Sequence, residues 1–412
     1  MLGPGGVVIV GAGQAAAELA VSLRQQGYRE PITLIGDEPS LPYQRPPLSK
    51  GLLTGALDAE ALLIRGQAAY DKAAIMLRLG TRVHAIDAQQ RSLLLDGGER
   101  LAYDALVLAT GGRARRLTLP GAEHPRVLTL RNLADVQRLR EHFVPGRRLL
   151  IIGAGYVGLE VAAVAAQAGL QVQVLESAER VLARVVSAQL SAYYQQVHRR
   201  AGVVISTGVT LHAIDEQPDG SLGVSAAGGA TWTADVILTG IGLIPNVELA
   251  EAAGIAVDNG ILIDEFGRTS APAIFAIGDC ANHFNVFAGR RLRLESVQNA
   301  TEQARAVAAW LCGKRLPHRI VPWFWSDQYH LKLQMAGLSE GFDDVVLRGT
   351  LAGDSFLMFY RRDGRVIAVD AVNRPAQFMQ VKRLIASGGE GFSAQQLADD
   401  EVSLKVAPAI VS

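Results

Sequence analysis

The 412-residue sequence has only two cysteines, Cys280 and Cys312. Two thiols at no metal-ligand spacing exclude a zinc site and a disulfide scaffold, and they fit a reducing compartment. Net charge is also missing, because 40 basic residues balance 40 acidic ones. A nucleic-acid binder usually carries a basic excess, so no nucleic-acid partner is expected. No apolar run reaches the roughly 18 residues a membrane-spanning helix needs, and no basic region precedes the short run Val7–Val10. The expectation is a cytoplasmic protein with no membrane partner. Aromatic residues make up only 6% and charged residues 19%, whereas 49% are apolar. That composition supplies large cores and argues against disorder. At this length two or three domains are expected.

What the sequence does contain is one pattern written twice. Val7–Val10 runs into Gly11-Ala12-Gly13-Gln14-Ala15-Ala16 and then a helical stretch to about Gln26. Leu149–Ile152 runs into Gly153-Ala154-Gly155-Tyr156-Val157-Gly158 and a similar stretch to about Ala168. A second short strand follows each, Ile32–Ile35 and Gln171–Leu175, and each ends in acid. These are two βαβ nucleotide-binding units. The first glycine makes the tight turn, and the second lets backbone approach a pyrophosphate. The third small residue lets helix pack on strand, and the helix N-terminus attracts phosphate. Ala16 stands in the third place of the first copy, which the motif permits. Two tight turns with no ligand is the bland alternative. Asp37 and Glu38 follow the first fingerprint and Glu176 the second, where a carboxylate accepts hydrogen bonds from a ribose. Glu176 repels a 2′-phosphate and so predicts NADH over NADPH, with Arg180 close enough to soften that preference.

Two dinucleotide sites on one chain suggest electron transfer between two bound cofactors. Ala105–Gly112 and Val236–Gly242 each read as a strand that closes one nucleotide unit, and Ile274–Asp279 as a short buried strand ending in a glycine turn. Glu295–Leu311 has helical spacing at Ala300, Ala304, Val307 and Leu311. From Pro322 the composition changes: strands Phe356–Tyr360 and Val366–Val372 precede a helix over 376–386, a separate α+β domain. The tail beyond about Ala398 carries no pattern. In Leu41–Lys50 the prolines suit a helix start, which places Lys50 in a first turn facing whatever the domain binds. Read alone, Lys50 is a solvent-exposed lysine.

Six segments together resemble one family. They are Arg45–Lys50, Ala109–Gly112, Gly240–Asn246, Gly278–Cys280, Leu294–Val297 and Pro322–Gln328. The chain resembles, from Val7 to Asn373, the FAD-dependent NADH:ferredoxin reductases of the putidaredoxin reductase type. Members of that family serve cytochrome P-450 monooxygenases and aromatic-ring dioxygenases. The resemblance implies an α/β, glutathione-reductase-like fold with two Rossmann-type dinucleotide-binding domains and a C-terminal α+β domain. Residues 1–112 and 243–321 would form a split FAD domain, 113–242 an inserted NAD domain and 322–412 the last domain.

The resemblance also assigns positions. Gly11, Gly13, Ala15, Ala16 and Asp37 would hold the FAD adenosine and pyrophosphate, and Arg45, Val83, Ala109 and Arg131 would line the rest of the FAD. Asp279 would meet the ribityl chain, and Val297 would offer its backbone N–H to the flavin pyrimidine edge. Gly153, Gly155, Tyr156, Gly158, Glu176 and Gly242 would hold NADH. Lys50 would lie at the flavin, where a cation stabilises charge arriving with a hydride. Glu160 would lie near the nicotinamide and pair with Lys50, and Glu295 would orient the nicotinamide.

Disulfide reductases of this fold carry a cysteine pair after the first βαβ unit, and related peroxidases a single cysteine. Here that segment, Pro46–Leu52, has no sulfur, and the two cysteines read as packing residues. Electrons that arrive as a hydride must leave singly to a partner, which the resemblance implies is a 2Fe-2S ferredoxin, or go to oxygen. Trp323 and Trp325 would line that route or cover the flavin, or else are core aromatics. Arg290, Arg291, Arg293, Arg305 and Lys332 are candidates for a basic docking face, or else a solvated charge run. Rival readings on the same fold are a rubredoxin reductase and a flavin NADH oxidase. A rival of another class is an NADH-responsive signalling flavoprotein. The expected state is a monomer or weak homodimer, with no metal site.

Overall fold

Both fingerprint strands lie at the centre of a five-stranded parallel sheet. A computed structural model describes residues 5–405; residues 1–4 and 406–412, the outer ends of the first and last expected domains, lie outside the described residues. The chain folds into two compact units. The first holds the described residues up to Gln44, then Glu60–Arg113 and Ile244–Phe324. The second holds Arg45–Ala59, Ala114–Leu243 and the described residues from Trp325 onward.

In the first unit the strand order is Ile274–Ala276, Ala105–Leu108, Val7–Val10, Ile32–Ile35 and Ile75–Arg78. In the second it is Val127–Leu128, Val236–Thr239, Arg148–Ile152, Gln171–Leu175 and Val204–Ser206. The two sheets have the same plan. Val10 pairs with both Ile35 and Leu108, and Ile152 with both Leu175 and Thr239, so the three central strands of each sheet end level. Both glycine turns therefore leave from the carboxyl ends of a parallel sheet, where ligands of open α/β sheets collect. All residues of Val7–Val10, Ile32–Ile35 and Ala105–Leu108 are buried, as strands covered on both faces must be.

Helix Gln14–Gln25 lays Ala16, Leu19, Ala20 and Leu23 against Ala300, Ala304, Val307 and Ala308 of helix Val297–Leu311. Small residues on both faces let the helices approach closely. The second helix starts at Val297 rather than Glu295, because the Ser296 side chain caps it by accepting the Asn299 N–H at 3.1 Å.

In the second unit, antiparallel strands Leu331–Gly337, Arg365–Val372, Ser355–Arg362 and Asp344–Thr350 carry helix Pro375–Ala386. Trp323–Gln328 flanks the first of them. Arg348 clasps the following segment to this sheet. Its buried guanidinium donates to Asp400 Oδ1 at 3.0 Å and to the carbonyls of Leu397, Asp400 and Val402. Arg348→Leu leaves these acceptors short of donors, so a loss of about 2–3 kcal/mol of unfolding free energy is expected in denaturant titration. A loss under about 0.5 kcal/mol would show the clasp to be idle. Among the described residues no helix is long and apolar enough to cross a membrane, and no group of His, Cys, Asp or Glu could hold a metal ion.

Candidate active site

The glycines of each fingerprint do different work. Gly11 has φ +118°, and a Cβ there would lie 2.1 Å from the Ala109 carbonyl oxygen; Gly153 has φ +101° and would meet the Gly240 oxygen at 2.5 Å. The fold itself demands these two glycines. Gly13 and Gly155 have extended backbones that any residue adopts, and among the described residues a Cβ on either meets nothing within 4 Å beyond its chain neighbours. Nothing in the protein asks for glycine there. Each opens space directly before a helix N-terminus, the place a pyrophosphate takes. The residues present therefore fit a dinucleotide at both turns. In the third position, a Cβ on Gly158 would strike the Gly153 oxygen at 2.2 Å, whereas Ala16 is accommodated fully buried.

This contrast carries a prediction. Gly13→Ala should leave the apoprotein's stability within about 0.5 kcal/mol and weaken flavin retention at least roughly tenfold, while Gly11→Ala should destabilise the fold itself. Thermal unfolding of the apoprotein together with the flavin-to-protein absorbance ratio separates the two.

The acids after the two fingerprints differ as well. Glu176 follows its strand directly and is held by backbone, Oε2 accepting from the Ala154 N–H at 2.6 Å and Oε1 from the Ala178 N–H at 2.8 Å. The equivalent place in the first unit is Gly36, where a Cβ would come 2.4 Å from that of Ala12. The acid is therefore displaced along the turn to the exposed Asp37 and to Glu38, whose Oε2 accepts from the Tyr43 hydroxyl at 2.6 Å. Arg180 is committed elsewhere, donating to the carbonyls of Ala183, Val186 and Ser187. Tyr156 points its hydroxyl at Met335 Sδ, 2.7 Å away, and burial raises its pKa well above the phenol range. What it offers at the turn is its backbone. Gly242 has φ +109°, and a Cβ there would lie 3.9 Å from the guanidinium of Arg184, an exposed cation that no motif in the sequence marks.

Elsewhere in the first unit, Gly278 donates its N–H to Gln303 Oε1 at 2.7 Å, and a Cβ on it would lie 3.2 Å from that of Ala15. The Arg293 guanidinium donates to the Asp279 carbonyl at 3.1 Å and pairs with Glu295 at 2.7 Å, so one arginine ties two of the expected site residues together. Arg293 is thereby used internally rather than offered to a partner. Arg291 is likewise tied to the carbonyls of Ile263 and Asn282, and Arg305 to Glu18 and Glu302. Ala109 and Val83 are buried, and Val297 opens its helix, where the first N–H groups have no intrahelical partner. Trp323 and Trp325 are half-buried and Lys332 exposed.

In the second unit, Arg45 donates to the Arg131 carbonyl at 2.6 Å. Pro46–Ser49 forms a 3₁₀ turn and Gly51–Thr54 a short helix. Lys50 stands at the break between them, at φ −132° and ψ −115°, not inside a first turn as the prolines suggest. The break sends its ammonium to the Pro46 carbonyl at 3.2 Å and to Glu160 Oε2 at 2.8 Å. Glu160 sits inside helix Tyr156–Gln167 and is only 4% exposed. Two serines complete it: Ser49 Oγ donates to Oε2 at 2.6 Å and Ser326 Oγ to Oε1 at 2.7 Å. Such full pairing is what a buried carboxylate requires. Neither serine stood out in the sequence, where hydroxyls are common and carry no spacing signal.

The two cysteines stand apart from this chemistry. Cys280 is fully buried, with Sγ against the Ile277 and Leu108 carbonyls at 3.3 and 3.6 Å, and burial raises its pKa. Cys312 is half-buried and raised likewise.

Two fingerprint sheets, with no sulfur in the segment Pro46–Leu52 after the first βαβ unit, mark an oxidoreductase of glutathione-reductase-like fold. Residues 5–304 match the pyridine nucleotide-disulphide oxidoreductase family, and residues 323–407 the reductase C-terminal domain. The chain is 45% identical to putidaredoxin reductase of Pseudomonas putida over 404 residues, covering 97% of this chain and 96% of that protein. It is 43% identical to rhodocoxin reductase of Rhodococcus erythropolis, covering 97% and 94% of the two chains. The reductase in the crystal structure of the covalent putidaredoxin reductase–putidaredoxin complex superposes with a TM-score of 0.93 at 44% identity, over 98% of each chain. This chain belongs to the pyridine nucleotide-disulphide oxidoreductase family, among its FAD-dependent ferredoxin reductases.

Proposed function

We propose that the protein oxidises NADH and reduces a 2Fe-2S ferredoxin that supplies a cytochrome P-450 monooxygenase or a ring-hydroxylating dioxygenase. The observation that supports this reading best is the pair of second glycines, Gly13 and Gly155, each of which leaves open space directly before a helix N-terminus. In this reading 1–112 and 243–321 serve FAD, 113–242 serves NADH, and 322–412 forms the C-terminal domain. The protein works in the cytoplasm as a monomer or weak homodimer, without nucleic acid or membrane.

Bound FAD supplies a hydride acceptor that can give up electrons one at a time. The overall reaction turns NADH and two oxidised ferredoxins into NAD⁺, two reduced ferredoxins and a proton. Gly13 and Gly155 let two helix N-termini face pyrophosphates, with Gly11, Ala15, Ala16 and Asp37 on the FAD side and Gly153, Tyr156, Gly158 and Gly242 on the NADH side. Arg45, Val83, Ala109, Arg131, Asp279 and the Val297 N–H line the FAD. Lys50 holds positive charge at the flavin edge. Glu160 fixes that ammonium, and Glu295, braced by Arg293, orients the nicotinamide by proximity rather than by proton transfer. Trp323, Trp325, Arg305 and Lys332 would serve electron exit to the ferredoxin in this reading.

Stopped-flow mixing with NADH, then with candidate ferredoxins, tests the whole reading. Fast reduction followed by fast ferredoxin reduction is expected, with the second step slowing steeply in salt while NADH–ferricyanide activity does not. Rapid oxygen consumption without a partner would make it an oxidase, and preference for rubredoxin a rubredoxin reductase. Slow turnover with a persistent flavin–NAD complex would favour a signalling flavoprotein.

The donor preference is tested at Glu176. Glu176→Ala should lower kcat/KM for NADH by roughly ten- to a hundredfold and raise the NADPH/NADH ratio at least about tenfold. NADPH should still not become the better donor, because Arg180 stays tied to carbonyls. An unchanged ratio would remove Glu176 from the ribose.

A further inference from the structure

Glu160 is one end of a hydrogen-bonded line that runs from the buried carboxylate towards solvent. Ser326 Oγ lies 2.7 Å from Glu160 Oε1, and Gln328 Nε2 lies 3.2 Å from Ser326 Oγ. His198 Nε2 is 2.8 Å from Gln328 Oε1, and the Tyr329 hydroxyl is 3.1 Å from His198 Nδ1. Ser326, Gln328 and His198 are at most 1% exposed, whereas Tyr329 is half-buried. His198 stands in the last turn of helix Ala188–Arg200, far in sequence from both other segments.

The carboxylate dictates where every hydrogen lies. An ionised carboxylate only accepts, so the Ser326 hydroxyl donates to Glu160. Ser326 Oγ then accepts from the Gln328 amide, which turns the Gln328 carbonyl to His198. That carbonyl requires a hydrogen on Nε2, which leaves Nδ1 to accept from Tyr329. Burial holds His198 below the ordinary imidazole range, in keeping with a neutral ring. All four donors thus point the same way, and each polarises the next.

We propose that His198, acting through Gln328 and Ser326, is a positioning residue that holds the Glu160 carboxylate aimed at Lys50. The role of Glu160 beside the nicotinamide rests on the proposed function; the hydrogen-bonded aim does not. Other titratable groups around the line are Lys50 on the proline segment, Tyr156 on the same helix as Glu160, Asp327 between Ser326 and Gln328, Tyr194 one turn before His198, Asp370 on the strand Arg365–Val372, and Tyr329 beyond His198. Arg199 and Arg200 follow His198 and are exposed. Removing a donor from the charged form of a carboxyl raises its pKa.

The test is an infrared pH titration of the oxidised holoenzyme without NADH, reading the protonated carboxyl band that Glu160→Gln abolishes. In His198→Leu, which lacks the donor, the band should appear about one pH unit or more higher than in the unmodified protein. Gln328→Met should shift it likewise, because a thioether there gives Ser326 no hydrogen while nearly keeping the volume. His198→Gln, which retains a donor, should restore the original titration. The acid limb of NADH-driven flavin reduction should move with the band, and the high-pH plateau should stay within about twofold. If His198→Leu does not fold, Gln328→Met against His198→Gln carries the comparison. A band that stays put in Gln328→Met, or that moves as far in His198→Gln, overturns the proposal. The titration involves neither NADH nor ferredoxin, so its failure is distinct from a failure of the unmodified protein to reduce ferredoxin.

Discussion

Lys50→Met is expected to destabilise the protein by about 3–5 kcal/mol and to slow flavin reduction by NADH at least roughly a hundredfold. Among the described residues of the second unit, the ammonium is the charge that pairs directly with Glu160, at 2.8 Å, and Glu160 is 4% exposed. Methionine matches the volume of the lysine stem and leaves the carboxylate with two serine hydroxyls and no counter-charge. The two effects have different causes, so a second variant separates them. Lys50→Met/Glu160→Leu removes both charges, and Ser49 can fall back on the Pro46 carbonyl, 3.4 Å away. Stability should return to within about 1–2 kcal/mol of the unmodified protein, while flavin reduction stays slow. Denaturant melts and single-turnover absorbance measure the two quantities. Were the double variant as unstable as the single, burial of an unpaired charge would not be the cause.

Acidification should unfold the protein through a buried pair of imidazoles. His283 and His318 stack edge to face with centroids 4.7 Å apart and are 2% and 7% exposed. Among the described residues, His283 Nε2 and both ring nitrogens of His318 find no hydrogen-bond partner. Burial drives the His283 pKa down to about 4 and that of His318 to about 3, with Arg291 adding to the first effect and the neighbouring imidazole to the second. Both rings are neutral in the folded and unfolded states well above pH 6.5, so they leave stability unchanged there. Below that value the unfolded chain takes up protons that the folded protein refuses. Stability therefore falls as pH drops from about 6.5 towards about 4 for His283 and about 3 for His318. Each ring contributes a slope of about 1.4 kcal/mol per pH unit, so together they remove about 3–4 kcal/mol by pH 5. His318→Phe keeps the edge-to-face packing and loses no hydrogen bond. It should remove the roughly 1.4 kcal/mol per pH unit that His318 contributes to the slope and raise stability at pH 7 by about 1 kcal/mol. Chemical denaturation of the holoenzyme across pH 5–8 provides the readout, and identical slopes in the two proteins would rule the pair out as the acid trigger.

Much of this was legible in the sequence, for a local reason. A strand buried on both faces is a short apolar run, and a glycine turn ends it wherever the chain must enter φ > 0. Val7–Val10 and Ile32–Ile35 accordingly lie where the sequence places them, and so do the turns at Gly11 and Gly153. The edge strands Ile75–Arg78, Val127–Leu128 and Val204–Ser206 escaped notice, since they are short and partly exposed, with Met76 at 63% and Val204 at 55%.

Two dinucleotide units, the absence of a thiol and the family itself were thus determined by residue order alone, because each depends on neighbours a few positions apart. Only the tertiary structure separated the glycines the fold needs from those it does not, since the deciding carbonyls of Ala109 and Gly240 arrive from the ends of other strands. It likewise decided that Arg180 is spent on carbonyls and that Arg293 braces Asp279 and Glu295. It also decided that Glu160 is held by Ser49, Lys50 and a line of donors ending at Tyr329. A buried charge takes its partners from wherever the folded chain brings them within about 3 Å, and sequence spacing carries no record of that distance.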